Sequence, residues 1–367
     1  MGIGELIREL RSARGWSQGR LASAINNQFG TTLGREYVSG WECSKHEPGN
    51  FYLRALSAVL DVPLAVLENE LERRTFLTDV AGAAIAPLVA SDLLSVGFAA
   101  RLRGGPSVDD WESKLAIYGT EYMSLGAADI QRRVSGELVV VQQQLDNPRL
   151  WSVASRLMTL YAKTFPGSDG SKAVHWYRMA AKAADESGDE SAQVWVRGRA
   201  AIALGYEGAS LPVADVIADQ AMAISERPSL GLLNAVYGKA HTAAIRGDHV
   251  TAIELDTRGR HLFDRMGSYE QTSDYGVPYW RLNVFRSLLL ARLGDERGAV
   301  EAQEEARREL PPTLPRFATH LELHRGLMLA RSGDRAGGLA YAQGAMDALP
   351  PEKHSLTLRM LMGEIRA

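Results

Sequence analysis

Residues whose types and spacing could catalyse a reaction are sparse in this sequence of 367 residues. His320 and His324 lie one helical turn apart, which suits a metal ion, but Glu322 falls off that face and the H-E-x-x-H arrangement is missing. The segment 167–172 lacks the spacing of a phosphate-binding loop, and no G-x-S-x-G elbow or dinucleotide fingerprint occurs. Cys43 has no activating base beside it. We therefore expect a protein that is not an enzyme and that holds neither a metal nor a cofactor, with surface histidines at 320 and 324.

A second group of side chains could bind a ligand without transforming it. Six polar or aromatic residues fall on two predicted helices. They are Asn234, Tyr237, His241, Tyr279, Arg281 and Asn283. On a concave wall they could hold a peptide backbone or a small molecule. Alternatively, they pack between helices with their polar ends satisfied, and the sequence leaves this open.

A third group lies on a short predicted helix over residues 35–42. Val38 and Trp41 fall on its inward side, and the outward positions are Arg35, Glu36, Ser39 and Gly40. Apolar residues at helical spacing predict four further helices within residues 1–74. The first ends at Gly15, Ser17 caps the second, the fourth carries Leu53 and Leu56, and Pro63 begins the fifth.

Composition and charge limit the class of protein. The hydrophobic content of 46% supports a large core, and only 7% of residues are aromatic, so a mostly helical chain is expected. A single cysteine excludes an internal disulfide framework. Charged residues interrupt both the N-terminus and the apolar stretch 76–100, so we expect neither a secretory signal nor a membrane span, and a cytoplasmic location.

Charge is unevenly distributed along the chain. Residues 1–60 hold seven basic and five acidic side chains, a net charge of +2, whereas the whole chain carries −3. The remaining residues therefore carry −5. A basic head on an acidic body is the polarity expected of a head that meets phosphate, although a difference this small also arises by chance.

Three segments within residues 3–67 together resemble the helix-turn-helix domain of the Xre and phage-repressor family. They read IRELRSARGWSQGRLASAI, LGREYVSGWECSKHEP and LRALSAVLDVPL. The resemblance implies that the third helix enters the major groove of double-stranded DNA. The residues that it places at bases are Arg35, Glu36, Ser39 and Gly40, and those that it places at phosphates are Ser17, Gln18, Tyr37, Lys45 and His46.

The chemistry of these implied contacts is reasonable. Arg35 can donate two hydrogen bonds to guanine, Glu36 can accept one from cytosine, and Gly40 can only permit close approach. The resemblance also implies a structural ion pair between Arg11 and Glu42. An ordinary solvated Arg35 and a merely packed Tyr37 are the alternatives. The link over residues 26–32 is longer than the family's usual one and similar to links in actinomycete regulators, so the angle between the second and third helices stays open.

The rest of the chain shows a recurring Gly-Asp signature. It occurs at Gly247, Gly294 and Gly333, with a degenerate copy ending at Gly208 and a related step at Gly188. Each copy joins one helix of small and apolar residues to another, which resembles the tetratricopeptide repeat. Stacked helix pairs would complete one another's core and curve into a concave surface.

We therefore predict an all-α chain with a five-helix helix-turn-helix domain and an α-solenoid resembling tetratricopeptide repeats. The predicted boundaries are 1–74 for the DNA-binding domain, 75–106 for a partly helical apolar connector, and 107–367 for the repeats. The architecture resembles peptide-sensing regulators. It implies a homodimer on a palindromic operator, with a peptide, small molecule or protein as effector. The alternatives are a protein-interaction adaptor with secondary DNA binding and, more remotely, an enzyme within the solenoid.

Overall fold

The computed structural model describes residues 3–14, 16–60, 67, 95–165, 170–266 and 272–367. Every regular element in these ranges is helical. The chain divides between Asp92 and Leu93 into two compact units. The predicted connector 75–106 spans this division, and most of it, like the predicted fifth helix from Pro63, lies outside the described residues.

The first unit contains four described helices. They are α1 (Ile3–Ala13), α2 (Gln18–Phe29), α3 (Arg35–Glu42) and α4 (Asn50–Val59). Their apolar stripes meet in one core that includes the fully buried Leu6, Leu21, Val38 and Leu56. These short helices are stabilised mainly by this shared burial, because isolated helices of such length are marginal in water.

The long link between α2 and α3 is organised by one side chain. Asn26 accepts hydrogen bonds from the backbone N–H of Leu33 at 2.6 Å and from the hydroxyl of Thr31 at 2.7 Å. Its amide nitrogen donates to the Leu33 carbonyl at 2.9 Å. Gly30 ends α2 in the left-handed region at φ 66°, which favours glycine. The longer link is therefore an ordered loop that fixes where α3 begins.

The second unit begins with helix α5, over residues 95–103, and continues as a stack of helix pairs. The following helices are α6 (Val108–Ser124), α7 (Ala127–Gln142), α8 (Pro148–Ala162), α9 (Gly170–Glu186), α10 (Glu190–Glu207), α11 (Leu211–Ile224), α12 (Leu230–Ile245), α13 (His249–Met266), α14 (Tyr279–Leu293), α15 (Glu296–Glu309), α16 (Pro315–Arg331), α17 (Arg335–Asp347) and α18 (Leu356–Arg366). A single 3₁₀ turn, Pro351–Lys353, precedes α18. Each even-numbered helix from α8 to α16 packs against its successor and against the next even-numbered helix.

The predicted Gly-Asp turns join these helices as expected. Gly247, Gly294 and Gly333 have φ of 80°, 76° and 107°, the left-handed conformation in which only glycine is unstrained. The aspartate after each glycine then caps the next helix; Asp295, for example, accepts from the backbone N–H of Gly298 at 2.9 Å. The dipeptide therefore ends one helix and starts another within two residues.

Glycines also set the close approach of α10 and α12. A Cβ added to Gly238 would lie 2.5 Å from the backbone carbon of Ala201, and one added to Gly231 would lie 2.7 Å from the backbone of Trp195. Because these neighbours are backbone atoms, they cannot move aside as a side-chain end can. The two helices pack at a distance that tolerates no side chain at these positions.

The last helix returns to the middle of the stack. Helix α18 packs on α16 and also contacts α10. The hydroxyl of Thr357 donates to the Glu207 carboxylate at 2.7 Å. Arg292 of α14, which is 1% exposed, donates to Glu364 at 2.7 Å and to the Tyr206 carbonyl at 2.9 Å. Helices α10, α14 and α18 thus meet around a shared interior instead of lining an open groove.

Helix α5 packs with the second unit. Arg101 donates to the carbonyl of Gln143 at 3.0 Å, and Gln144 donates to the carbonyl of Pro106 at 3.0 Å. The predicted Gly-Gly-Pro boundary is therefore a turn that holds α5 against α7. None of the helices in the described ranges is both long and apolar enough to cross a membrane.

Candidate nucleic-acid interface and a cationic cavity

A buried carboxylate ties the first three helices together. Glu42, 3% exposed, accepts from Arg11 Nε at 2.6 Å and Nη2 at 3.0 Å, and from Gln18 Nε2 at 2.8 Å. Burial favours the neutral acid, but the hydrogen bonds from Arg11 and Gln18 outweigh it and hold the pKa of Glu42 below its ordinary value. The carboxylate therefore stays charged and fixes α3 relative to α1 and α2.

The outer face of α3 consists of Arg35, Glu36, Tyr37 and Ser39. Arg35, Glu36 and Tyr37 are exposed, the last at 53%, and Ser39 is half-buried. Val38 and Trp41 on the opposite side are buried, as the spacing predicts. One helix thus presents a guanidinium, a carboxylate and a phenol to solvent, a set of groups able to contact base edges and phosphates in the major groove.

Gly40 differs from its predicted outward position. It is buried, and a Cβ built there would overlap the imidazole of His46. The ring of His46 also meets Tyr37 edge-on, with centroids 6.0 Å apart. Gly40 therefore makes room for the turn after α3 and presents no surface of its own, because the loop folds back over it.

The predicted phosphate contacts lie at the two ends of this face. The Ser17 hydroxyl accepts from the backbone N–H of Arg20 at 3.1 Å and so caps α2. The side-chain nitrogen of Gln18 already donates to Glu42, which leaves its amide oxygen and the positive end of α2 for a partner. Lys45 and His46 are exposed in the turn that follows α3.

An aromatic–arginine group at the start of α2 adds to this surface. The guanidinium carbons of Arg14 and Arg20 lie 5.9 Å and 5.5 Å from the ring centroid of Trp16. Both arginines are exposed. In the sequence Trp16 stands out only as part of the motif, and its approach to the two arginines is a feature of the folded chain.

Most of the predicted effector residues lie in the interior. Asn234, Tyr237, His241 and Asn283 are at most 2% exposed. Tyr237 donates to Asp256 at 2.9 Å, His241 meets an Arg292 nitrogen at 3.0 Å, and Asn283 donates to the Tyr279 carbonyl at 3.0 Å. These residues pack the repeats together, which is the alternative that the sequence leaves open. Tyr279 is 38% exposed and packs on Phe263.

The expectation of surface histidines is also wrong. His320 is 6% exposed and His324 is fully buried. The Tyr206 hydroxyl lies 2.9 Å from His324 Nε2, and Ser287 lies 2.8 Å from its Nδ1. Burial, reinforced by Arg316, lowers the pKa of His320 to about 3, so the ring is neutral. Within the described ranges, no cluster of three metal-ligating side chains occurs.

Arg281, the remaining predicted effector residue, lines a cavity inside the second unit. The cavity has a volume of about 80 Å³ and lies among α6, α10, α14, α16 and the turn before α18. Four of its lining side chains are cationic, namely Lys163, Arg199, Arg281 and Arg316, and Glu207 is its one lining carboxyl group. We call this the cationic cavity. Its apolar wall includes Ile202, Val284, Phe285 and Phe317.

One carboxylate behind the cavity faces three of these cations. Asp274 is contacted by Lys163 at 2.7 Å, by Arg199 at 2.5 Å and by Arg281 at 2.9 Å, and the four side chains are at most 7% exposed. Burial favours neutral Asp274, but Arg199, Lys163 and Arg281 outweigh it and hold its pKa well below the ordinary value. We call these four residues the Asp274 cluster; with every group charged, its net charge is +2.

The surplus positive charge also affects the cations. Burial lowers the pKa of Lys163 well below its ordinary value, and the neighbouring Arg199 lowers it further. Burial and Arg199 lower the pKa of Arg281 to about 10. The Nε of Arg281 is buried and has no hydrogen-bond partner among the described residues. Both lowered pKa values follow mainly from burial, and repulsion from the neighbouring Arg199 adds to it.

Two further groups complete the cavity. Arg316 donates to the carbonyls of Tyr122 at 2.9 Å and Met123 at 3.3 Å, and no described carboxylate forms an ion pair with it. Burial raises the pKa of Glu207 to about 7, against the opposing effects of Thr357, Lys163 and Arg199. Among the described lining residues, cationic side chains therefore outnumber the carboxyl group.

Sequence reasoning missed Lys163, Arg199, Arg316 and Glu207. A signal existed for Arg199, which interrupts a run of small and apolar residues on α10. A cation within such a run indicates either a buried partner or a cavity. Its partner, Asp274, is 75 residues away in the sequence, so no local pattern indicates that the two residues pair.

Comparisons with known proteins add little to this description. No family model matches the sequence, and no curated protein matches it. The chain is similar to a solved structure of Bacillus thuringiensis PlcR in complex with the peptide PapR7 and DNA. The identity is 14%, the match covers 83% of this chain and 93% of that chain, and the TM-score is 0.35. A TM-score at this level carries no argument about function.

Proposed function

We propose that this chain is a sequence-specific DNA-binding transcriptional regulator. The observation that carries the proposal is the outer face of α3, where Arg35, Glu36 and Tyr37 project from a helix whose other side is locked into the core. The buried Glu42 network holds this helix rigidly beside α2. A rigid helix with exposed polar groups, next to the positive end of another helix, matches the docking of helix-turn-helix proteins in the major groove.

The proposal includes roles for individual side chains. Arg35 and Glu36 contact base edges, with Ser39 beside them, while Ser17, Gln18, Tyr37, Lys45 and His46 approach phosphates. The protein acts as a homodimer on a palindromic operator, with the two α3 helices about 34 Å apart or a multiple of this. The second unit binds an effector that alters this spacing.

DNA binding is tested with duplexes selected from a random pool by the full-length protein. We expect the selected duplex to bind at least ~10³-fold more tightly than a scrambled one at physiological salt, and the affinity to fall steeply with added salt. Fluorescence anisotropy measures both quantities. Equal affinity for selected and scrambled duplexes would refute sequence-specific recognition.

Arg35→Ala examines the central contact. Loss of a bidentate guanine contact costs about 1–3 kcal/mol and relaxes the preference at one base position. Arg54→Ala is the matched control, because Arg54 is an exposed arginine on α4. The control should weaken binding to selected and scrambled duplexes alike. If Arg35→Ala also leaves the selectivity at every position unchanged, α3 does not contact bases through this residue.

A further inference from the structure

Among the described residues, the cationic cavity has more positively charged side chains than carboxylates to neutralise them. Asp274 faces three buried cations at 2.5–2.9 Å, and the half-buried Arg316 adds a fourth cation, whose hydrogen-bond partners among the described residues are backbone carbonyls. Buried charges without a counter-charge are costly, so proteins retain them mainly where a ligand or partner supplies it. The Nε–H of Arg281, which has no acceptor among the described residues, is a donor that a bound ligand could use.

The apolar part of the lining and the volume of the cavity limit which kinds of ligand can supply that acceptor. Phe285, Phe317 and Val284 form an apolar wall beside the cations. A single water needs about 10–15 Å³, so a cavity of about 80 Å³ holds on the order of six non-hydrogen atoms. An anionic head with a few attached carbon atoms fits this space. A guanidinium fork such as that of Arg316 binds a planar carboxylate through two parallel hydrogen bonds.

We propose that the cationic cavity binds the carboxylate group of the effector, with Arg281 and Arg316 as donors and Lys163 as a charge partner. This proposal rests on the effector-binding role proposed for the second unit. The carboxylate belongs either to a small organic acid with an apolar body or to the C-terminus of a peptide whose last side chain is apolar. Both present the same head to the cations and an apolar group to Phe285 and Phe317.

The test measures thermal unfolding of the full-length protein without DNA, so its outcome is independent of operator binding. Sodium butyrate is compared with neutral butyramide, and acetyl-Gly-Gly-Ala is compared with its C-terminal amide, all at matched ionic strength. We expect each carboxylate to raise the unfolding temperature and each neutral partner to leave it unchanged. The tighter carboxylate identifies the source, an organic acid or a peptide.

Two variants locate the effect. Arg316→Gln removes a cavity charge that has no carboxylate partner among the described residues, and we expect roughly 10-fold weaker carboxylate binding. Arg308→Gln is the matched control, because Arg308 is an exposed arginine that pairs with Glu305. It should bind like the wild type. The proposal is overturned if acid and amide act equally, or if Arg316→Gln responds to carboxylates as fully as the control. Circular dichroism of each variant before titration establishes that it is folded.

Discussion

Two substitutions in the Asp274 cluster should have very unequal effects on stability. Asp274→Asn keeps the side-chain shape but removes the one described carboxylate that contacts Lys163, Arg199 and Arg281. Removing one partner of a buried ion pair costs about 3–5 kcal/mol, because the other charge is left uncompensated. Three such cations remain here, so we expect roughly 5 kcal/mol. For a unit of this size, that lowers the unfolding temperature by roughly 10–20 °C.

Lys163→Met removes a cation from the Asp274 cluster, whereas Asp274→Asn removes the carboxylate. Asp274 keeps both arginines, and one of three mutually repelling buried cations is replaced by an apolar side chain of similar volume. Because Asp274 still contacts two arginines, this substitution leaves no uncompensated charge, and we expect a free energy of unfolding within about 1 kcal/mol of the wild type. Removing a salt-bridging lysine should therefore cost far less than removing its carboxylate partner.

Urea and thermal unfolding of the full-length chain near pH 7 measure both effects. Asp129→Asn is the control for the chemical change, since Asp129 pairs with Arg132 at an exposed site. This substitution should change the free energy of unfolding by less than about 1 kcal/mol. The reasoning fails if Lys163→Met destabilises as much as Asp274→Asn. That result would mean that the cluster needs all three cations and that no surplus charge exists.

Four further substitutions check other parts of the structure. Glu42→Gln should destabilise the first unit by about 3 kcal/mol in urea unfolding, because it leaves Arg11 without its charge partner; an unchanged midpoint would contradict this. The raised pKa of Glu207, about 7 against an ordinary 4.5, means that the folded state holds a proton which the unfolded state releases. Its contribution to stability therefore declines as pH rises from about 4.5 to about 7, and Glu207→Gln should remove that slope from a pH series of unfolding free energies. Gly238→Ala should lower the free energy of unfolding by about 1–3 kcal/mol, because the added methyl group would overlap the backbone of α10. Gly344→Ala, in open space on α17, should raise it by about 0.5–1 kcal/mol. Equal melting temperatures for these two glycine variants would argue against the close packing of α10 on α12.

Structural features that depend only on residues close in the sequence could be predicted from it. The Gly-Asp turns at Gly247, Gly294 and Gly333 follow from local chemistry, because a left-handed glycine and a capping aspartate need no distant partner. The inward positions of Val38 and Trp41 follow from helical periodicity in the same way.

Helical periodicity predicted the candidate sites less well. Gly40 falls on the outward side of its helix by spacing, but the turn that carries His46 covers it. Asn234, Tyr237 and His241 share a helix face as predicted, but that face is buried by α10 and α14. Periodicity identifies a face and does not identify what packs on it.

The amino-acid sequence alone determined the helices of the described ranges and the glycine turns that end several of them, because these depend on contacts within a few residues. Tertiary structure decided the cationic cavity. Lys163 and Asp274 are 111 residues apart, and Glu207 and Thr357 are 150 residues apart. Their meeting depends on the curvature that accumulates over successive helix pairs and returns α18 to α10, and no local pattern specifies that curvature.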